Sequence, residues 1–230
     1  PINELAFASR VGFLTRNIWR EFFAQGCRRW QNKLWVRLRT DGFFRPHPAM
    51  PELYLPNPKN RTIDTGVPFV AGSPSLNQIR HDELVARTYL LIEREVPHLE
   101  IKTEAYLKKE VPLRNKGLRT VDSEKHPDLV IRNRGEETAI EIELTQKSRA
   151  KYRTILRSYS RTGFKKVIYI IRSASTMHAI DAAASEISFP RDQIQLGFGS
   201  MGDWRINPLV TKINFDHSVD PLWKALGLES

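Results

Sequence analysis

The stretch HPDLVIRNRGEETAIEIELTQK, residues 126–147, contains two β-strand patterns joined by a polar turn. Asp128 opens the first pattern, residues 128–132, and the turn lies around residues 133–137. In the second pattern, residues 139–145, acidic and apolar residues alternate. Because successive side chains of a strand point to opposite faces, Glu141 and Glu143 share one face and Ile142 points to the other.

Carboxylates on the face of a central strand are costly unless they are solvated, paired or bound to a metal. Asp128, Glu141 and Glu143 converge if the two strands pair, and a divalent cation between them would relieve their repulsion. Such hard oxygen ligands suit Mg²⁺ or Mn²⁺, which can polarise a phosphodiester and activate water. Lys147 follows the strand and is placed to stabilise phosphate charge. The alternative is a wet edge strand whose glutamates pair with Lys or Arg.

The flanking patterns predict an α/β domain with a mixed sheet. A helix is predicted at residues 76–95, then strands at 100–107, 128–132 and 139–145. A helix at 148–161 leads to a strand at 166–172, whose VIYII core predicts burial on both faces. A helix at 176–187 and a strand at 194–198 follow. The first three strands fit a meander, and the 148–161 helix fits a crossover.

The N-terminal residues predict three helices followed by a small hairpin, the order of a winged helix-turn-helix. A helix at residues 2–9 precedes Thr15, a good N-cap for the second helix, with Leu14 spaced to pack on Trp19. The third helix, 27–40, is predicted to bury Cys27, Trp30, Leu34 and Leu38, and extended pieces follow at 43–45 and 52–55. A Pro- and Gly-rich stretch then gives domains at 1–57 and 78–230 and a linker at 58–77.

The net charge of +10 is concentrated in this head, since residues 1–60 contain 10 Lys and Arg against 4 Asp and Glu. This excess favours nucleic acid, although a basic chain also suits an anionic membrane surface, and many winged helices bind protein. Arg prefers guanine edges, and Asn and Gln prefer adenine edges. The predicted DNA-binding residues are Arg28, Arg29, Gln31, Asn32, Lys33, Arg37 and Arg45.

Several classes of protein are disfavoured by composition. The single cysteine, Cys27, rules out an internal disulfide and a Cys-rich zinc finger. The longest apolar run, residues 167–171, is far below the ~20 residues of a membrane helix. The opening residues lack a secretion-signal pattern. We therefore expect a cytoplasmic protein without direct membrane insertion.

The segment 126–147 resembles the PD-(D/E)xK nuclease superfamily. This resemblance implies a restriction-endonuclease-like fold for the C-terminal domain, residues 78–230. Pro127-Asp128 and Glu141-Ile142-Glu143 match its pattern, with 12 residues between Asp128 and Glu141. Glu143 stands where the usual lysine would be, and Lys147 lies four residues further on. The resemblance implies a metal-dependent endonuclease, and it leaves open whether Glu143 or Lys147 assists the attacking water.

The string AIEIELTQKSRAKYRTILRSY, residues 139–159, is similar to the MobC-type mobilisation relaxases and related replication–relaxation proteins. This similarity implies Asp128, Glu141 and Glu143 as metal ligands or catalytic carboxylates, supported by Lys147 and Glu104. It implies nicking of one strand of double-stranded DNA at a plasmid transfer origin, with a coupling or relaxosome protein as a further partner. Tyr106, Tyr152 and Tyr159 are read as packing residues. Alternatives are a transposase or repair nuclease of the superfamily, and a catalytically inactive DNA-binding regulator or replication accessory protein.

Overall fold

The protein is mixed α/β, as the sequence predicts, and its structure is a computed structural model. The structure describes residues 2–24, 26–62, 74, 76–110, 125–190, 193–198, 212–213 and 219–220. These residues form seven α-helices and two sheets. The chain divides into two compact units, Pro1–Leu90 with Ala105–Lys116, and Leu91–Glu104 with Gly117–Ser230.

The first unit combines helices with a three-stranded antiparallel sheet of order β1-β3-β2. Its elements up to residue 62 are α1 (Ile2–Val11), β1 (Leu14–Thr15), α2 (Arg16–Phe22), α3 (Arg28–Thr40), β2 (Phe44–His47), β3 (Met50–Pro56) and a 3-10 helix (Pro58–Thr62).

Thr15 has two structural roles in this unit. Its side-chain hydroxyl accepts a hydrogen bond from the Ile18 backbone N–H at 3.3 Å, so the predicted N-cap of α2 is confirmed. The same residue lies in β1 and pairs with Leu53 of β3. Leu14, its neighbour, is fully buried and pairs with Tyr54.

The predicted buried face of α3 is partly wrong. Leu38 is buried, but Cys27 is exposed and Trp30 is 52 % exposed. Trp35 takes the central place, because its ring stacks on Tyr54 with centroids 4.0 Å apart and packs against Trp19 at 5.4 Å. The Trp30 ring lies instead close to Gly26, which has a φ of +87°.

The second unit is built on a seven-stranded sheet of order β10-β9-β8-β7-β6-β5-β4. The remaining helices and strands of the chain are α4 (Ile79–Glu95), β4 (Glu100–Thr103), α5 (Glu104–Glu110), β5 (Leu129–Asn133), β6 (Glu136–Glu143), α6 (Arg149–Thr162), β7 (Lys166–Ile171), α7 (Ala174–Glu186), β8 (Ile194–Phe198), β9 (Lys212–Ile213) and β10 (Val219–Asp220).

The predicted meander and crossover are both confirmed. Strands β4, β5 and β6 pair antiparallel in sequence order, and α6 connects β6 to the parallel strand β7. Val167 to Ile171 of β7 are all buried, as the apolar run predicts for a strand covered on both faces. Ser148 caps α6 by accepting from the Lys151 N–H, and Gly163 ends the helix at φ +80°.

One predicted strand is too long. The strand at residues 100–107 ends at Thr103, and Glu104 begins α5. The chain leaves the sheet there because its partner β5 begins at Leu129, which pairs with Thr103.

The predicted linker forms a 3-10 helix at its start, and residues 63–73 and 75 lie outside the described residues. Its predicted boundaries therefore stay a prediction, and α4 up to Leu90 belongs to the first unit.

Replacing Trp35 by Ala should destabilise the first unit by about 3–5 kcal/mol, because a buried ring between two aromatic partners leaves a cavity. Trp30→Ala is the matched control and should cost less than about 1 kcal/mol, since its ring is half exposed. Urea unfolding of the two variants followed by circular dichroism checks the difference. Equal losses of stability would contradict the observed core.

Candidate functional site

The three carboxylates predicted from residues 126–147 are all buried in the second unit, with Asp128 8 %, Glu141 1 % and Glu143 3 % exposed. Asp128 directly precedes β5, and the β5–β6 register places it opposite Glu141. Its Oδ2 accepts a hydrogen bond from the Ile142 backbone N–H at 2.7 Å. The alternative of a wet edge strand is wrong about its position, because β6 is an interior strand between β5 and β7. The pairing with Lys that this alternative predicted is present, since Glu141 pairs with Lys125 and Glu143 with Lys147.

Glu141 is held by two side chains. Lys125 Nζ donates to Glu141 Oε2, and the Tyr159 hydroxyl donates to Glu141 Oε1. Burial, followed by the nearby charge of Asp128, raises the pKa of Glu141 to about 7, although the Lys125 ammonium opposes this shift. The negative charge of Glu141 is therefore costly even with the Lys125 ammonium beside it.

Glu143 has a separate set of partners. Lys147 Nζ donates to Glu143 Oε2, and the Lys147 backbone N–H donates to the Tyr152 hydroxyl at 3.0 Å. The Tyr152 hydroxyl is also hydrogen-bonded to Glu143, and burial is the main cause that raises the pKa of Tyr152 to about 12. Lys147 lies in the connection between β6 and α6, and Tyr152 lies near the start of α6, so this short segment closes around Glu143.

A third tyrosine supplies an unsatisfied polar atom. The Tyr169 side chain is fully buried, and its hydroxyl has no hydrogen-bond partner among the described residues. Tyr169 pairs with Glu141 in the β6–β7 ladder. Its pKa lies well above the usual range because of burial and then the charges of Glu141 and Glu143. A buried hydroxyl without a partner is costly, and this one lies on the strand next to Glu141.

The described residues contain no group of three His, Cys, Asp or Glu side chains arranged to hold a metal ion. The structure places Asp128 next to Glu141 and gives Glu143 its own lysine and tyrosine. A pair of carboxylates still fits Mg²⁺, which is commonly held by one or two carboxylates together with substrate phosphate and water. Glu104 is half-buried, and its backbone N–H donates to the Asp128 carbonyl at 3.1 Å.

The sequence interpretation missed four residues of this site. The sequence pattern does not identify Lys125, and it predicts only packing roles for Tyr152 and Tyr159 and an apolar strand around Tyr169. Tyr152 and Tyr159 do pack in the core, but their hydroxyls also contact the glutamates. The available signal was the position of Tyr152 and Tyr159 on α6. Both lie on the apolar side of this helix, which must face β6 because the helix directly follows that strand. No local pattern singles out Lys125.

The cations in and just before α6 divide into distinct groups. Lys147 pairs with Glu143, and Arg149 and Arg153 both pair with Glu186, whose pKa is lowered mainly by the hydrogen bond from Arg153. The remaining three cations are exposed on the outer side of the helix: Lys151, Arg157 and Arg161.

In the first unit, the predicted DNA-binding residues of α3 also divide. Arg28, Arg29, Lys33 and Arg37 are exposed, and the Arg37 Nε lies 3.7 Å from Asp41 Oδ2. Asn32 Oδ1 accepts from Arg16 at 2.6 Å and from Arg20 at 3.2 Å. Gln31 Nε2 donates to the Gly26 carbonyl at 3.2 Å. The amide side chains therefore help to fix α2 and α3, while the cations stay available to a ligand.

The hairpin adds one exposed cation to this surface. Arg45 of β2 is exposed, whereas His47 Nδ1 accepts a hydrogen bond from the Ala49 backbone N–H at 3.2 Å. Val36 lies among the exposed cations of α3 and is 45 % exposed. A mixed cationic and apolar helix face of this kind suits the major groove, where thymine methyls provide apolar contacts.

Comparison with models of known protein families finds no match for this chain, and a search of curated proteins finds none either. Within the part of the chain that the structure describes, no helix combines the length and apolarity needed to cross a membrane.

Glu141→Gln tests the electrostatic cost of the site. The pKa of Glu141 is about 7 in the folded protein and 4.5 by default. The contribution of Glu141 to stability is therefore fully present below pH 4.5, where the carboxyl is protonated in both states, and it is lost as the pH rises through 7. The variant should therefore gain stability relative to wild type between pH 4.5 and 8, by at most about 3 kcal/mol. Urea unfolding in EDTA across this range measures the gain. A difference that is constant with pH would contradict it.

Proposed function

We propose that the first unit binds double-stranded DNA as a winged helix-turn-helix domain. Its element order, helix, strand, two helices and two strands, fits this architecture, and β1 pairs with the distal strand of the hairpin. In this arrangement α3 is the recognition helix and the hairpin is the wing. The exposed residues Arg28, Arg29, Lys33, Arg37 and Arg45 then form its DNA-binding surface.

We further propose that the second unit is a PD-(D/E)xK endonuclease domain that nicks DNA with Mg²⁺ or Mn²⁺. The observation that carries this proposal is the buried pair Asp128 and Glu141 on adjoining strands. Buried carboxylates side by side destabilise a fold, so their presence favours a role that requires them. The strand order, a meander followed by a helical crossover to a parallel strand, agrees with this domain type.

The residues of the site divide the work of hydrolysis. Asp128 and Glu141 would hold the divalent cation, which supplies Lewis-acid activation of the phosphodiester and of water. Asp128 is fixed by the Ile142 N–H, and Tyr159 fixes one oxygen of Glu141, so both carboxylates are preorganised. Lys147, one-third exposed, is placed to hold a phosphate oxygen, and its contact with Glu143 orients it. The exposed cations of α6 extend a path for the DNA backbone.

A relaxase-like role is the specific form of this proposal. The similarity of residues 139–159 to mobilisation relaxases supports nicking of one strand at a plasmid transfer origin, with a coupling or relaxosome protein as partner. A second candidate is a DNA-binding regulator without catalysis. It is favoured by one observation: the two buried glutamates of β6, Glu141 and Glu143, already have a lysine counter-ion.

Lys33→Ala and Arg37→Ala should each weaken binding to a duplex and lower the slope of log affinity against log salt by about 1, because each removes one phosphate contact. Lys59→Ala, an exposed lysine outside α3 and the hairpin, is the control. Fluorescence anisotropy over a salt series measures both quantities. Unchanged slopes would exclude α3 as the DNA-binding helix.

Asp128→Asn should abolish nicking of supercoiled plasmid while preserving duplex affinity, because the amide oxygen can still accept from Ile142 but the negative charge is lost. EDTA should have the same effect on wild type. Gel separation of supercoiled and open-circular DNA with Mn²⁺ measures nicking. Wild type that binds DNA but never nicks it would favour the regulator, and full activity of Asp128→Asn would refute this site.

A further inference from the structure

The two lysines of the site differ from its carboxylates in exposure. Glu141 and Glu143 are almost completely buried, whereas the side chains of Lys125 and Lys147 are 30 % and 33 % exposed. A lysine has a flexible stem and a compact charge, so it can leave a carboxylate without disturbing the backbone. The buried glutamates cannot move to solvent in this way, because they lie on an interior strand.

The net charge of the carboxylates and lysines at this site determines which charged ligands the site can bind. With all groups ionised, Asp128, Glu141 and Glu143 carry three negative charges, and Lys125 and Lys147 carry two positive charges. The buried cluster is therefore close to neutral without any ligand, with one negative charge in excess. A divalent cation would reverse this excess to one positive charge, and one phosphodiester would then restore neutrality. Uncompensated charge is costly in a buried site, so these two additions favour each other.

The same contacts create a direct competition. Lys125 Nζ occupies Glu141 Oε2, an oxygen that a metal ion bound to Glu141 would also attract. A phosphate beside the exposed parts of Lys125 and Lys147 would offer these lysines another anionic partner. Phosphate binding therefore lowers the cost of releasing the carboxylate oxygens from the lysines.

We propose that Lys125 and Lys147 act as internal counter-ions that make divalent-metal binding at Asp128 and Glu141 depend on bound DNA. This inference rests on the proposed metal-dependent function and adds a regulation to it. Without DNA the lysines neutralise the carboxylates and keep metal affinity low. With DNA they turn to the phosphate, and metal affinity rises. Coupling is reciprocal, so the metal also strengthens DNA binding by the same factor.

The test measures Mn²⁺ binding by the full chain at about pH 8, by electron paramagnetic resonance of free Mn²⁺. It is done with and without a random-sequence duplex, and binding by the duplex alone is subtracted. Asp128→Asn defines binding outside the site. Wild type should bind Mn²⁺ at least about tenfold more tightly with the duplex than without it, a coupling of ordinary size.

The lysine variants identify the source of the coupling. Lys125→Gln and Lys147→Gln should each raise Mn²⁺ affinity without DNA several-fold and reduce the enhancement by the duplex. Lys147→Arg keeps the charge and should retain the enhancement. Lys165→Gln is the matched control, because Lys165 forms an exposed ion pair with Glu136. Thermal melting followed by circular dichroism verifies that each variant is folded.

The outcomes separate this inference from the proposed function. Mn²⁺ that binds the site equally well with and without DNA would overturn the coupling and leave the metal-dependent function standing. Coupling that is unchanged in both glutamine variants would overturn the role of the lysines. Wild type that binds no more Mn²⁺ than Asp128→Asn under either condition would overturn the metal site and the coupling together.

Discussion

Burial of negative charge on an interior strand is the constraint on which the second unit depends. Glu141 lies between β5 and β7 and under α6, where water cannot compensate its charge. The surrounding residues supply the compensation, with Lys125 and Tyr159 on its two oxygens. A hydrophobic residue would fill this position at lower cost. The arrangement is therefore easier to explain by chemistry that needs a carboxylate than by stability alone.

The β6–α6 connection links this electrostatic arrangement to the topology. The crossover from β6 to the parallel strand β7 places α6 over the face that contains Glu141 and Glu143, since tyrosines of α6 contact both glutamates. Tyr152 and Tyr159 lie two turns apart on the buried side of α6, so each glutamate receives one hydroxyl. Packing and polar satisfaction thus come from the same helix, which explains why these tyrosines were easy to mistake for simple core residues.

Periodicity predicted most elements because it reports burial directly: the VIYII run of β7 fits a strand covered on both faces, and its residues are buried. The alternation around Glu141 predicted a strand but left open whether its acidic face is wet or buried. It failed where a tertiary contact chose between two similar side chains. Trp30 and Trp35 both fit an apolar face of α3, and only the stacking with Tyr54 selects Trp35. The carboxylates were predictable from spacing, but Lys125 was not, because a residue that approaches from a loop leaves no periodic signal. The three-carboxylate metal cluster also depended on side-chain directions, which spacing does not determine.

Thr15 gives the first unit a mechanical property. One residue both ends the strand that pairs with the hairpin and caps the helix that follows. The hairpin and α2 are therefore both bonded to Thr15, so a displacement of one would strain the hydrogen bonds of the other. A ligand bound to the hairpin would thus also restrain α2. Arg16 and Arg20 of this helix donate hydrogen bonds to Asn32 of α3. Amide exchange in α2 would slow together with that in the hairpin, as expected for one cooperative segment rather than two independent ones.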